Sequence, residues 1–414
     1  VIEDVEREGN VVPIEAAKKS RGAPKPTVAT AISILANDSR WKNKIAWNEL
    51  AQEIELDAPP WHIDDAETTA RVKKIVSDVD IIRLQAWLIR NCDVTLARET
   101  VRDAAMVVAE RRRVHPIRDW LRDLRWDGEK RVDGWLAAYV GAENGAYASN
   151  VGRWFLVGAV GRVMRPGCKL DTMPTFEGDQ GAGKSTMLRV LFGDAWFSDT
   201  PLELQSKDRF VGLRGKWCVE FAELDSVGRS EIERVKNFLS SSVDSYRPPY
   251  GRGLVDVPRQ AVFAGTTNRD DYLRDETGNR RFFPVRCGRI DLEGLHAARE
   301  QLWAEAFAIW ESGGIWHPRP DELGDVVAEQ GSRLSRDAWA DEIATWLIGH
   351  PLNELTVSSV LRDVFALERA KWTMGDQARV ARALKVLGWT RQRAPRGAGG
   401  VPRGWVYRRS AEMS

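Results

Sequence analysis

The sequence predicts a multidomain protein with an all-α N-terminal domain, a central α/β core and a C-terminal winged-helix-like domain. Three observations carry that prediction. Apolar residues recur at helical spacing through the first third of the chain. A glycine-rich loop near the middle sits between a short apolar run and a helix-like run, and apolar strands alternate with helices after it. The last hundred residues read as three helices followed by a basic hairpin. The predicted divisions are 1–26 linker, 27–118 helical domain, 119–170 helical connector, 171–312 core, 313–335 second linker and 336–414 basic domain.

Length and composition bound this reading. At 414 residues the chain is too long for one core. Its 43% hydrophobic and 29% charged residues fit a soluble globular protein. No apolar run is long enough for a membrane span and no signal peptide is read, so a cytoplasmic protein of a bacterial host cell is expected. The start at Val1 suggests a piece of something longer. Cys92, Cys168, Cys218 and Cys287 lie far apart, which suits reduced core thiols better than a zinc site. A net charge of +1 gives no reason to invoke nucleic acid. Its distribution does: from Gln377 to Ala411 there are nine Lys or Arg and no Asp or Glu.

In chain order, Val28, Ile32 and Leu35 make one helical face. Arg71 to Val76 is expected in a second helix, and Ile81, Leu84, Trp87 and Leu88, then Val101, Ala105 and Val108, in two more. His115-Pro116 to Trp126-Asp127-Gly128 reads as a hinge-like stretch before a long helix, roughly 149–164. His115, beside a proline, is expected to be structural.

The stretch Gly178-Asp179-Gln180-Gly181-Ala182-Gly183-Lys184-Ser185-Thr186 carries the chemistry. Glycines let the backbone turn its N–H groups toward phosphate oxygens, Lys184 would reach the β/γ-phosphates, and the Ser185 hydroxyl would sit on Mg²⁺. The helix opened there favours an anion at its N-terminus. A nucleotide and Mg²⁺ are the expected ligands.

Further on, Lys216 to Leu224 is an apolar strand carrying Glu220 and Glu223. A buried strand seldom keeps a carboxylate unless it is paired or binds a metal. One carboxylate is needed near Mg²⁺ and another to position water. Three-residue spacing puts these two on opposite faces of a strand, so one must lie at its end, and their roles stay open. Tyr246 to Gly253 reads as an exposed turn between two extended runs, a hairpin with basic and aromatic residues, Arg247, Tyr250 and Arg252, at its tip. Ala261 to Asn268 is a small-residue strand whose terminal amide suits holding a lytic water. Arg280 and Arg281, or Arg274, are arginine-finger candidates ahead of the apolar run Phe282 to Val285. In the terminal domain, Arg391, Arg393, Arg396 and Arg403 line the predicted wing and suit phosphate contact.

This order of features resembles the virulence-associated protein E family of phage and mobile-element replication proteins, whose motor is similar to the superfamily 3 helicases of the AAA+ class. The resemblance rests on His115-Pro116, Trp126-Asp127-Gly128, Glu177 to Ser185, Trp196 to Asp199, Val219 to Leu224, Tyr246 to Arg252, Gly265 to Asn268 and Gly278 to Phe282. It covers about Arg112 to Val285 firmly and the two ends loosely. It implies an ATP-driven ring, a hexamer, that translocates on DNA and works beside a primase or other replication protein. It also implies Walker B positions at Glu220 and Glu223, a sensor at Asn268, Arg280 and Arg281 reaching a neighbour's site, and a pore hairpin at 246–252. The acidic pair departs from the adjacent acids of many motors, and no primase-like cluster precedes the core.

Two other readings compete. In a GTPase, Asp225-Ser226-Val227-Gly228 would serve as DxxG and Asn268 to Asp271 as a guanine motif, but Arg269 stands where that motif needs Lys. A DNA-binding regulator would use the glycine loop only as a switch. Tight, exclusive GTP binding would favour the first, and duplex binding without DNA-stimulated turnover the second.

Overall fold

The structure is a computed structural model that describes residues 25–63, 73–206, 208–224, 229–247, 253–269, 272, 279–333, 338–393 and 405–409. The first unit comprises α1 (Val28–Asn37), β1 (Ile45–Asn48), β2 (Glu53–Asp57), β3 (Lys73–Ile75), α2 (Asp78–Cys92), α3 (Arg98–Glu110) and β4 (Arg113–Val114). It is not all-α. A four-stranded sheet in the order β3-β2-β1-β4 packs against the helices. The period-two run Glu53-Ile54-Glu55-Leu56-Asp57 is a strand pattern, with Ile54 and Leu56 buried. Its turns are made by Asn43, Gln52 and Ala58 at positive φ rather than by glycine, so the usual punctuation is missing. The expected helix over 71–76 is likewise corrected: Lys73–Ile75 pairs with β2, and only Ser77 starts a helix, through a capping box with Asp80. On α1 the buried face is Ala31 and Leu35, while Val28 is exposed.

Next come α4 (Pro116–Asp123), α5 (Trp135–Val140) and α6 (Ala146–Met164). Pro116 at the first turn lacks an N–H that the helix would leave orphaned anyway. Buried residues run all round α6, as expected of a helix enclosed by protein. His115 caps α4 and is 3% exposed. Its Nδ1 accepts the Arg118 N–H at 3.1 Å, and Nε2 lies 2.6 Å from Gln260 Oε1. Burial holds its pKa down at about 4. Between that value and the ordinary value near 6.5, the unfolded chain takes up a proton that the folded chain refuses, so stability falls as pH drops through this window. His115→Gln removes the titration. From about pH 8 to pH 5, urea unfolding of the wild type should lose about 2 kcal/mol more than the variant.

The central unit holds β5 (Met173–Glu177), α7 (Lys184–Phe192), β6 (Phe197–Ser198), β7 (Cys218–Phe221), α8 (Arg229–Leu239), β8 (Val243–Tyr246), β9 (Val255–Pro258), β10 (Val262–Thr267), β11 (Phe282–Arg286), α9 (Leu292–Glu311) and α10 (Leu323–Ser332). Five strands form a parallel sheet in the order β11-β5-β10-β7-β6. Both faces are covered, which is why β5, β7 and β10 are buried from end to end. One face packs on α6, α7 and α9, the other on α8. Under α7, Trp217 meets Trp303 at 4.2 Å and Phe192 at 5.2 Å between ring centroids. Trp303 Nε1 donates to Leu191 O at 2.8 Å and Arg299 Nε to the same carbonyl at 3.0 Å, satisfying the end of α7.

The hairpin β8–β9 stands beside the sheet. Arg259, fully buried at its root, donates to Asp244 Oδ1 at 2.9 and 2.6 Å and lies 4.5 Å from the Phe238 ring. The first unit is tied to the sheet by Arg214, which donates to Ala51 O, Gln52 O and Glu53 Oε2.

The last unit runs α11 (Ala338–Gly349), β12 (Glu354–Leu355), α12 (Val357–Asp363), α13 (Met374–Val386), β13 (Trp389–Arg393) and β14 (Trp405–Arg409). Its sheet is antiparallel in the order β12-β14-β13, and Ile343, Leu361, Leu384, Trp389 and Tyr407 fill its own core.

Candidate nucleotide-binding site

Three neighbouring parallel strands, β5, β10 and β7, deliver their C-terminal ends to one place. There β5 runs into the glycine loop and α7 leaves it. Gly181 (φ 81°) and Gly183 (φ 90°) take left-handed backbone that a side chain would strain. The loop's root is pinned at both sides: Gly178 N–H donates to Thr267 O at 3.2 Å, and Cys287 N–H donates to Glu177 O at 2.7 Å.

Lys184 is 7% exposed. Its ammonium donates to Gly178 O at 2.6 Å, Asp179 O at 2.8 Å and Asn268 Oδ1 at 3.2 Å. A lysine therefore spans the loop and reaches the amide at the end of β10. Ser185 Oγ donates to Glu220 Oε1 at 2.7 Å, and Thr266 Oγ1 donates to the same oxygen at 2.6 Å. Glu220 is 2% exposed, and its Oε2 is buried without a hydrogen-bond partner. Glu223 stands past the end of β7 at φ 53°, exposed beside the loop. The conflict over opposite strand faces is resolved because Glu223 is no longer on the strand.

The loop residues Gln180 to Thr186, together with Ala222, Glu223 and Thr266 to Asn268, line a cleft of about 290 Å³. A second cleft of about 760 Å³ is lined by 141–148, 284–288, residues of α10 and Arg333 just past its end. Burial pushes the Cys287 thiol there up to about 12. Among the described residues no cluster of three His, Cys, Asp or Glu forms a metal cage. An orphaned carboxylate oxygen beside a serine hydroxyl does fit Mg²⁺, which binds one or two protein oxygens plus substrate phosphates.

Two participants escaped the sequence reading. Thr266 shares Glu220 with Ser185 and was visible only as a strand residue. Arg333, just after α10, grips Glu177 at the loop's root with bonds of 3.1 to 3.2 Å. The pair is 156 positions apart, so no local pattern could announce it.

Other expected residues lie away from the loop. Register pairs Phe282 with Met173 and Arg286 with Glu177, so Arg280 and Arg281 flank the opposite end of β5, roughly 15 Å along the strands from this chain's own loop. Arg281 Nε donates to Ser240 Oγ at 2.9 Å, and Arg280 is exposed. Arg247 is exposed at the end of β8, and Arg391 and Arg393 are exposed on β13. Tyr250, Arg252, Arg274, Arg396, Arg403 and 225–228 lie outside the described residues.

A family model described as the virulence-associated protein E-like domain matches residues 121–335, just over half of the chain. The chain belongs to this family. No curated protein matches this VapE-like chain. It is similar to solved structures of the NrS-1 C terminal region. The A form apo structure of CTR(305-718) has a TM-score of 0.49 and 12% identity, covering 92% of this chain and 99% of that chain. The apo structure of the same region has a TM-score of 0.45 and 11% identity, covering 88% and 95%. Among the described residues of the VapE-like chain, no helix is long and apolar enough to cross a membrane.

Proposed function

We propose that this chain is an ATP-dependent DNA helicase or translocase of a ring, a hexamer, serving replication of a phage or other mobile element. One observation carries the reading: Lys184, Ser185, Glu220 and Asn268 are bonded to one another or to the glycine loop at the ends of three adjacent parallel strands. That constellation, with the sheet order β11-β5-β10-β7-β6, supports a P-loop core of the AAA+ kind. The helix–strand–helix–helix–hairpin order of the last unit supports a winged helix.

On this reading the backbone of 178–183 and Lys184 hold the β/γ-phosphates, and the nucleoside occupies the second cleft beside Cys287 and Arg333. Ser185 and the unpartnered Oε2 of Glu220 would hold Mg²⁺, which when bound offsets the phosphate charge. Glu223, exposed on the cleft, orients the attacking water, and Asn268 senses the γ-phosphate. Arg247, with Tyr250 and Arg252, meets DNA in the pore, while Arg391, Arg393, Arg396 and Arg403 meet it on the wing. ATP turnover should rise severalfold with single-stranded DNA; turnover indifferent to any DNA would bring the switch-type regulator forward.

Arg280 and Arg281, distant from their own loop, would complete the site of the neighbouring subunit. Lys184→Ala and the double variant Arg280→Ala/Arg281→Ala should each be inactive alone. Mixed one to one, they should recover turnover, because about a quarter of the ring's interfaces then join an intact loop to an intact arginine pair. Mixtures that stay dead would remove the shared-site arrangement.

A further inference from the structure

Strand β14 opens on Trp405, which is 49% exposed, while its neighbours Val406 and Tyr407 are 5% exposed. Register sets Arg393 opposite Trp405 and Arg391 opposite Tyr407, so by alternation Trp389, Arg391, Arg393, Trp405 and Tyr407 share one face. Trp389 and Tyr407 are spent on the core of this unit; the other three are not. The Arg391 guanidinium sits 4.1 Å from the Trp405 ring centroid and that of Arg393 5.6 Å. Among the described residues no carboxylate bridges either arginine, whereas Arg408 is paired with Glu354.

Stacking on the indole steadies the ring and leaves the guanidinium N–H groups at the edges, where a phosphate can be bound. A cross-strand Arg–Trp contact made only for stability has no need of so much open indole, nor of a segment from Gln377 to Ala411 free of acids. An exposed ring flanked by cations is instead what an unpaired base with its phosphates would meet. We infer that Trp405, steadied by Arg391 and Arg393, is a stacking platform for an unpaired DNA base, the two guanidiniums taking adjacent phosphates. This rests on the DNA-binding reading of the wing and adds to it a residue and a strand form. A blunt duplex keeps its bases stacked inside and offers the indole only its ends.

The test is fluorescence anisotropy of the full chain with a labelled oligothymidine and with an abasic strand of the same length, which keeps the phosphates and lacks the bases. The wild type should prefer the base-bearing strand. Trp405→Ala should cut that preference about tenfold, because the abasic strand has no base for the indole to stack on. Trp405→Phe should keep most of it. An unchanged preference in Trp405→Ala, or equal binding of both strands by the wild type, overturns the platform and leaves the DNA reading standing. Binding of neither strand overturns both.

Discussion

Lys184→Ala is expected to lower ATP turnover at least about 100-fold, with or without DNA, because the only side-chain ammonium on the loop that can meet the phosphate charge is gone. The same substitution has a structural cost. Gly178 O and Asp179 O each lose a charged donor; Asp179 O keeps the Ala182 N–H and neither residue is fully buried, so the cost is about 1 kcal/mol. Thermal melting must therefore accompany the rate measurement. A variant that melts a few degrees lower and is inactive at 25 °C, well below its transition, is the predicted outcome. A variant that keeps more than a tenth of the wild-type rate would show that phosphate is held elsewhere.

Glu220→Gln should separate metal binding from water activation. The amide oxygen can still accept from Ser185 and Thr266, so the local bonds survive. The unpartnered Oε2 becomes an NH₂ at the position proposed for Mg²⁺, and the negative charge disappears. The rate should fall about 100-fold, and the Mg²⁺ concentration for half-maximal turnover should rise. Melting should change little, because the variant removes a charge that is 2% exposed. Glu223→Gln should also lose turnover but keep the wild-type Mg²⁺ dependence. If titration with Mg²⁺ gave the same curve for both variants, the division of labour between the two carboxylates would be wrong.

The strand, glycine loop and helix at the centre were legible because the residues that make them are local. Six backbone positions, one lysine and one serine fall in a single stretch, and the helix that follows needs no tertiary information. Strands β5, β7, β10 and β11 were legible as apolar runs, since a parallel sheet covered on both faces leaves little choice of residue. The first unit misled. Its strands are two to five residues long, and three of its turns use Asn, Gln and Ala in left-handed backbone, so helical spacing in α1, α2 and α3 spoke for the whole. The roles of Glu220 and Glu223 stayed open from sequence because a strand's end is fixed by what pairs with it. Here β10 pairs with β7 only as far as Phe221. Contacts such as Glu177 with Arg333 depend on the path of the whole chain and leave no periodic trace.

The aromatic packing beneath α7 also gives the molecule a signal of its own. Trp217 and Trp303 hold their rings 4.2 Å apart at 34°, and Phe192, Trp196 and Trp120 crowd round them. Two indoles so close couple their electronic excitations, and the skew of 34° between their rings makes the coupled transition chiral. Near-ultraviolet circular dichroism should therefore read the seam between α7 and α9 without any label, fading when that seam opens even where helix content persists.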